Sequence, residues 1–382
     1  MIYYPQIIAP TLRHLRALDA APAVREAIDA LLGGAMQDAA DRLSALVAGG
    51  SDDPRAFAAL GFIAYRANRG ELATQLLESA LALDPEDAHS RALVAVCYLG
   101  LERYAEAIAA FRAALRRDPR MHAAHGLLWT AVHGEGKLDA AIRALKRALL
   151  EVAPGHAAAA PKRRIEDTTL CVVDCSNHAL AERALRLSMA GCEFAQVKFL
   201  SDRACALPGV ASEPIATLRS AEEYSRFVLK ELVRHIDTEY VLLAQWDGYV
   251  VNPAAWSPEF LLFDYVGARW EHTFERSAPH HNVGNGGFSL RSRALLEALQ
   301  DPAIAPSHPE DQAIGRRYRT YLEERHGIAY ATGEVADRFS FEHTEPAALP
   351  FGFHGVINLA RFVDAPGFAT MDYFFGADPD AR

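Results

Sequence analysis

Residues 240–248 read Tyr240-Val241-Leu242-Leu243-Ala244-Gln245-Trp246-Asp247-Gly248. Five residues of strand length and strand character run without a break into Trp-Asp-Gly, where the glycine turns the chain. A continuous apolar strand is one covered on both faces, which is the mark of a parallel sheet packed between helices. The flanking sequence agrees. Upstream, residues 221–236 place Tyr224, Phe227, Val228, Leu232 and Val233 at helical spacing. Before that, 168–175 contains Leu-Cys-Val-Val-Asp-Cys as a second strand, 179–190 reads as a helix, and 194–200 as a third strand. Alternation of strand and helix predicts an α/β layer, with ligands bound beyond the carboxyl ends of its strands. Asp174 and Asp247 stand at two such ends. A turn aspartate before glycine is the plain alternative for Asp247.

Downstream, Phe-Asp-Tyr-Val-Gly-Ala-Arg-Trp (263–270) ends a strand near Gly267 and sends Trp270 into a loop. Residues 283–299 begin Val-Gly-Asn-Gly-Gly-Phe-Ser, where Gly284, Gly286 and Gly287 allow close backbone approach and Asn285 can donate or accept. No G-x-G-x-x-G or P-loop fingerprint is present. Glu310 and Asp311 follow in His-Pro-Glu-Asp-Gln-Ala-Ile-Gly (308–315), a place that helix dipoles alone would favour for acids. His354 sits in Pro-Phe-Gly-Phe-His-Gly (350–355), a polar residue among aromatics and glycines, where a structural histidine is the plain alternative.

The first half has a different grammar. A step of 34 residues joins Pro85 to Pro119, Ala73 to Ala107 and Ala141, Leu77 to Phe111 and Leu145, and Ala80 to Ala114 and Ala148. Alanines at a helix crossing let two antiparallel helices approach closely, the larger residue fills the space beside them, and proline punctuates the turn. With Leu60-Gly61 and Tyr98, this stretch resembles tetratricopeptide repeats, in units at about 54–87, 88–121 and 122–154 with a degenerate leading unit containing Ala39, Leu43 and Leu46. Arrays of this kind present a concave face built from the first helix of each unit. Here Arg55, Ala58, Phe62, Tyr65, His89, Ala92, Val96, Leu99, Thr130 and His133 are expected to line it. Without a basic cluster, that groove suits a protein or peptide partner, or packing against the chain's own second domain or another subunit. The expected organisation is a repeat array over 19–154, a linker over 155–167 and an α/β domain over 168–375.

The 382 residues carry 39 Lys and Arg against 49 Asp and Glu, a net charge of −10, which disfavours a nucleic-acid-coating surface. Five cysteines, an odd number without a Cys-x-x-Cys pair, argue against a disulfide framework or a thiolate zinc site. Cys171 and Cys175, four apart, are expected to point to one face of a strand as small buried hydrophobes. The start, Met-Ile-Tyr-Tyr-Pro-Gln-Ile-Ile-Ala-Pro, has no basic region and no long apolar core, and no span of membrane length occurs. A cytoplasmic, soluble protein is expected, with a homo-oligomer open to it.

In order, the motifs at 245–248, 264–270, 283–293, 309–312, 339–343 and 350–355 resemble an uncharacterised family of glycosyltransferase-like domains. That family is similar in pattern to GT-A nucleotide-sugar transferases and is often found beside tetratricopeptide repeats. The fold implied is a tetratricopeptide-repeat α-solenoid followed by a GT-A-like, Rossmann-like α/β domain with a mixed, mostly parallel sheet. The activity implied is transfer of a sugar from a nucleotide-sugar, a UDP-sugar foremost, to an acceptor hydroxyl, with the repeats recruiting a protein acceptor. The resemblance makes Asp247 the last acid of a D-x-D motif, with Gln245 in place of the first, and pairs it with His354 around Mn²⁺ or Mg²⁺. It makes Asp311 the base of an inverting reaction with Glu310 as its rival. Asp174, Gln245, Asp247, Gly286, Gly287 and Trp270 become donor-binding residues, and Glu342 and Arg291 supporting ones. A nucleotide-binding scaffold without catalysis, and a nucleotidyltransferase or diphosphate hydrolase, are the alternatives.

Overall fold

The computed structural model describes residues 7, 10–11, 13–15, 21–152, 161–270, 281–363, 365 and 367–377. The chain divides into two compact units, Met1–Ala148 with Asp364–Arg382, and Leu149–Val363.

The first unit is built from helical hairpins. Pro22–Leu32 pairs with Met36–Ala48, Pro54–Arg66 with Gly70–Leu83, Ala88–Gly100 with Tyr104–Arg117, and His122–Gly134 precedes Leu138–Glu151. The predicted small residues do what their size demands. Ala73, Ala107, Ala141, Leu77, Phe111 and Ala114 are fully buried, and a Cβ added at Gly61 would come within 2.6 Å of the Leu77 side chain. Proline at the first helical position and an aspartate cap open the helix at Pro54, where Asp53 accepts from the Arg55 N–H at 3.0 Å.

One feature of the backbone carries the period further than the side chains do. Gly34, Asn68, Glu102 and Gly136, each 34 residues after the last, all have positive φ, from 59° to 88°. They occupy the same position in the tight turn between the two helices of successive units. The leading unit, degenerate in sequence, is therefore regular in backbone. The segment after Val363 also belongs to this unit. Arg112 donates from Nε to the Thr370 carbonyl at 2.9 Å, pairs with Asp372 at 3.0 Å and lies over the Phe375 ring at 4.7 Å. The expected domain 168–375 is corrected accordingly: one guanidinium satisfied three ways ties the segment to the repeats.

The second unit holds a six-stranded sheet in the order β3-β2-β1-β4-β6-β5. Its strands are β1 (Arg163–Val173), β2 (Cys192–Ser201), β3 (Ala211–Pro214), β4 (Tyr240–Ala244), β5 (Tyr265–Val266) and β6 (Phe288–Ser292). The first four are parallel, while β6 runs antiparallel to β4 and β5. Leu170, Val172, Phe199, Leu242, Phe288 and Leu290 build the larger core. Cys171, Val173, Leu200, Val241 and Leu243 face a smaller one with Phe227, Val228 and Leu232.

Three expectations are adjusted. The strand predicted from 168 begins at Arg163, so the linker 155–167 is shorter, and its residues 155–160 lie outside the described residues. The helix over 221–236 is α-helical only to Lys230 and tightens into a 3-10 turn over Leu232–His235. Cys171 is buried, but β1 ends at Val173, which leaves Cys175 in the following turn and partly exposed. Among the described residues no helix is long and apolar enough to cross a membrane.

Candidate functional site

The sheet turns back on itself between β1 and β4. From β1 the chain steps outward through β2 to β3, then returns to place β4 on the other side of β1. The carboxyl ends of those two strands flank the crevice where open α/β sheets bind ligands. Val172 pairs with Ala244, so Asp174 and Gln245–Asp247 emerge side by side.

A second, two-stranded sheet supplies the other half of the site. β7 (Ser340–Phe341) and β8 (Gly352–Phe353) are parallel, with Phe341 opposite Phe353. One residue on, Glu342 and His354 are therefore neighbours. Phe353 is locked by Phe362 and Tyr249, with ring centroids 4.5 and 4.8 Å away. The Gly355 N–H donates to the Asp247 carbonyl at 3.1 Å, which closes the second sheet onto the end of β4.

These constraints bring Asp247 and His354 together across 107 residues, with Asp247 Oδ1 and His354 Nε2 3.4 Å apart. Glu342 Oε1 lies 3.0 Å from His354 Nδ1, and Asn285 Nδ2 lies 3.1 Å from the same atom. Gln245 bridges the group, its Oε1 3.3 Å from His354 Nε2 and its Nε2 donating to the Tyr224 hydroxyl at 3.0 Å. Burial alone would lower the imidazole's pKa, but Asp247 and Glu342 outweigh it and raise His354 well above its ordinary value. Burial likewise pushes Glu342 up, and the bond and charge of His354 overcome it and bring Glu342 down to about 2. With Glu342 accepting from the Nδ1–H, Nε2 faces Asp247 and Gln245.

Asp247 is only 7% exposed, and its Oδ1 has no hydrogen-bond donor. A buried carboxylate oxygen calls for a cation: in the free protein the His354 imidazolium stands off at 3.4 Å, and a metal ion there would take the place of its Nε2 proton. Carboxylate oxygen and imidazole nitrogen suit Mn²⁺, or Mg²⁺ less closely. Among the described residues no group of three or more His, Cys, Asp or Glu has metal-holding geometry, so the two side chains stand as a pair. A cation there needs its other ligands from substrate oxygens and water.

The glycine loop is fitted to this arrangement. A Cβ at Gly287 would come within 2.0 Å of His354 Nε2, and one at Gly286 within 2.0 Å of Glu310 Oε1. Asn285, at φ 70°, accepts from Gly287 N–H at 3.1 Å and Phe288 N–H at 3.3 Å. These glycines make room for the protein's own side chains, which is a different use from lying under a donor sugar.

The adjacent acids part company. Glu310 is buried, 3.4 Å from the fully buried Arg291, and accepts from Ser225 Oγ at 3.3 Å. Asp311 accepts from the Gly286 N–H at 3.3 Å, and burial followed by the Glu310 charge raises its pKa above the ordinary carboxylate range. Of the two, Asp311 has the poise of a general base. Two further expectations change. Asp174 accepts from the Ser176 N–H at 2.6 Å and from the Asn177 N–H, so it is engaged in the turn that opens the helix His178–Gly191. Trp270 has the Arg316 guanidinium 3.9 Å from its ring centre, and its ring edge packs where Cβ atoms at Gly284 and Gly315 would go. A ring so enclosed shapes the glycine loop; the face under Arg316 is closed to a sugar. Tyr224 is the participant that sequence reading missed, because its helical spacing marked it as core.

Comparison with known proteins divides the chain the same way. Residues 64–129 match the family model described as tetratricopeptide repeat, and the N-terminal region is an array of such repeats. Solved structures similar over that region include MamA, at 22% identity over 37% of this chain and 84% of that one, with a TM-score of 0.31. A second is YrrB, titled a TPR protein with an unusual peptide-binding site, at 20% over 31% and 62%, with a TM-score of 0.29. Among curated proteins the comparison finds no match. Residues 210–354, which hold Gln245, Asp247, Asp311, Glu342 and His354, match a family described as protein of unknown function, DUF5672.

Proposed function

We propose that the second unit is a metal-assisted glycosyltransferase that uses a nucleotide-sugar donor, a UDP-sugar foremost, and an acceptor hydroxyl. The observation that carries this reading is the pairing of buried Asp247 and His354, Oδ1 and Nε2 3.4 Å apart with no well-formed hydrogen bond on Oδ1, at the carboxyl end of a parallel strand. The mixed, mostly parallel sheet and the position of the crevice support it.

Asp247 and His354 would hold Mn²⁺ or Mg²⁺, which when bound offsets the negative charge that builds on a departing nucleoside diphosphate. Glu342 accepts a hydrogen bond from the His354 Nδ1–H and fixes the ring so that Nε2 faces Asp247. Gln245, standing where a first acid is expected, spends its amide on Tyr224 and His354 and holds the same geometry without adding charge. Asp311 removes the proton of the acceptor hydroxyl, a role its raised pKa suits, and a base in that role implies inversion at the anomeric carbon. Arg291 neutralises Glu310 and so keeps one negative charge, not two, beside the acceptor. The tetratricopeptide groove offers a surface for a protein acceptor.

Gln245 also favours a second reading, a nucleotide-binding scaffold without turnover, because the residue lacks the acid's charge. A panel of nucleotide-sugars with Mn²⁺, followed by mass spectrometry, separates the two. The transferase reading expects an intact sugar on an acceptor or on water, lost in Asp247→Asn. Binding of nucleotide and metal with no turnover for any donor selects the scaffold, and release of inorganic diphosphate or phosphate selects a nucleotidyltransferase or hydrolase. Unchanged metal and nucleotide binding in Asp247→Asn by titration calorimetry overturns the cation site itself.

A further inference from the structure

The edge of the large sheet holds a cavity that the candidate site does not use. It measures about 430 Å³, within the range of small-molecule sites, and lies in the second unit. One wall is the chain that leaves β3, where Pro214, Ile215 and Leu218 are apolar. The other is the helix Ala221–Lys230 and the turn after it, through Glu223, Phe227 and Glu231 at steps of four and through His235. Tyr224 and Glu223 are neighbours on one turn, yet the Tyr224 hydroxyl meets Gln245 in the candidate site while Glu223 faces the cavity. The two places share a helix and use different faces of it.

The walls are held before any ligand arrives. The Ile215 N–H donates to the Ser201 carbonyl at 3.0 Å, and Thr217 Oγ1 donates to Asp202 Oδ2 at 3.0 Å. Ser220 caps the helix through the Glu223 N–H at 3.2 Å, and Glu223 Oε2 accepts from the Arg219 N–H at 2.7 Å, leaving Oε1 to accept from elsewhere. His235 stands against the Phe227 ring, centroids 5.5 Å apart, with Nδ1 2.9 Å from Glu213 Oε2, so that Nε2 is unspent. Among the described residues, the side chains of Arg226 and Glu231, which also line the cavity, have no hydrogen-bond or ion-pair partner.

We propose that this cavity binds an uncharged saccharide unit. A purely apolar ligand would strand the Arg226 fork and the Glu231 carboxylate without partners. A phosphate or nucleotide would meet two carboxylates against one guanidinium, and a simple cation would meet that guanidinium. A sugar ring satisfies every wall. Its ring carbons present an apolar face to Pro214, Ile215 and Leu218, and each of its hydroxyls both donates and accepts. The planar Arg226 fork donates to a pair of adjacent hydroxyl oxygens, while Glu231, Glu223 Oε1 and His235 Nε2 accept from hydroxyl protons. Binding there needs neither the cation nor a nucleotide, so it stands or falls apart from the transferase reading.

The test uses the full chain without metal or nucleotide. Glucose, galactose, N-acetylglucosamine and maltose are titrated singly and followed by two-dimensional NMR of the backbone amides. At least one should shift the amides of 216–218 and 226–231 to saturation, with an affinity that added sodium chloride leaves unchanged. Arg226→Ala and Glu231→Ala, both outside the core, should each weaken binding by about tenfold or more. Ala216→Trp, which fills the cavity from an exposed position, should abolish it, and circular dichroism with a thermal melt establishes that the variants are folded. Asp247→Asn should bind the sugar as the native chain does, so failure of the cation site leaves this result standing. No saturable shift at those amides with any of the four sugars overturns the proposal, as does binding indifferent to both alanine substitutions. Affinity that falls with salt, or larger shifts at the same amides from inorganic phosphate or uridine monophosphate, marks a site for a charged ligand and overturns it as well.

Discussion

The two units reach order by opposite routes. In the repeat unit, the residues that pack against each other are close in sequence, as Gly61 is to Leu77, and the same solution recurs every 34 positions. In the α/β unit, the candidate site joins Tyr224, Gln245, Asp247, Asn285, Asp311, Glu342 and His354, and apart from Gln245 and Asp247 at the end of β4 each is placed by a different stretch of chain. Periodic packing tolerates variation because each unit leans only on its neighbours. A convergent site depends on several distant backbones arriving together, and an error in any of them misplaces the rest.

The largest expected effect lies in that convergence. Asp311→Asn keeps the size of the side chain but removes the base proposed for transfer. Transfer should fall by about 10²–10⁴-fold, with nucleotide and Mn²⁺ binding unchanged. Single-turnover rates beside calorimetric titrations provide the check, and a parallel loss of binding would show that Asp311 holds substrate instead.

Two buried phenylalanines give the contrast its thermodynamic form. Phe111 in the repeats and Phe288 on β6 are both fully buried. Phe111→Ala and Phe288→Ala should each cost about 3–5 kcal/mol. Hydrogen exchange should differ in its reach: Phe111→Ala should loosen its own unit and the adjoining ones, while Phe288→Ala should lower protection across the whole sheet. Global loss from Phe111→Ala would remove the one-dimensional picture of the array.

A smaller effect sharpens the site itself. Gly287→Ala places a Cβ 2.0 Å from His354 Nε2, so the ring must move or the loop must yield. A cost of about 1–3 kcal/mol is expected. The diagnostic readout is weakened Mn²⁺ binding at a temperature where the variant is still folded, and intact metal binding would separate the glycine loop from the cation pair.

What could be read beforehand follows the same division. The repeats were legible because Ala73, Leu77 and their successors restate one packing rule, and even the unremarkable leading unit proved regular once the left-handed turn at Gly34 joined those at Asn68, Glu102 and Gly136. Asp247 was legible because a strand end and a glycine mark a place where a carboxylate can meet a ligand. His354 was legible as an isolated polar residue among aromatics. Their closeness was not, since the register of Phe341 on Phe353 and the bond from Gly355 to Asp247 belong to no local pattern. Asp174 and Trp270 show the converse. Each residue type suits a binding role, but a turn and an arginine already occupy them.

The smallest effect comes from the first unit and tests whether the contact of His14 with His89 and Asp87 behaves as packing or as a switch. Burial, and then the nearby His14 charge, lower the His89 pKa below its ordinary value near 6.5, with Asp87 and Asp118 pulling upward and Arg13 downward. A histidine held neutral in the folded state contributes fully above its unfolded pKa, and that contribution declines as pH falls below about 6.5 toward the depressed folded value. Asp87 behaves differently. Burial raises its pKa, but His14 and Ser90 outweigh that and hold it at about 2, so its charge persists and its contribution fades only in the acid window from about 3.8 downward. Between pH 7 and 5, therefore, protonation of His89 should weaken its stack on His14 while Asp87 remains an anion. Two-dimensional NMR of the histidines should place the His89 midpoint below 6.5 and move it upward in His14→Ala. A midpoint unchanged by that substitution would mean that the stacked ring contributes shape to the groove and no electrostatics.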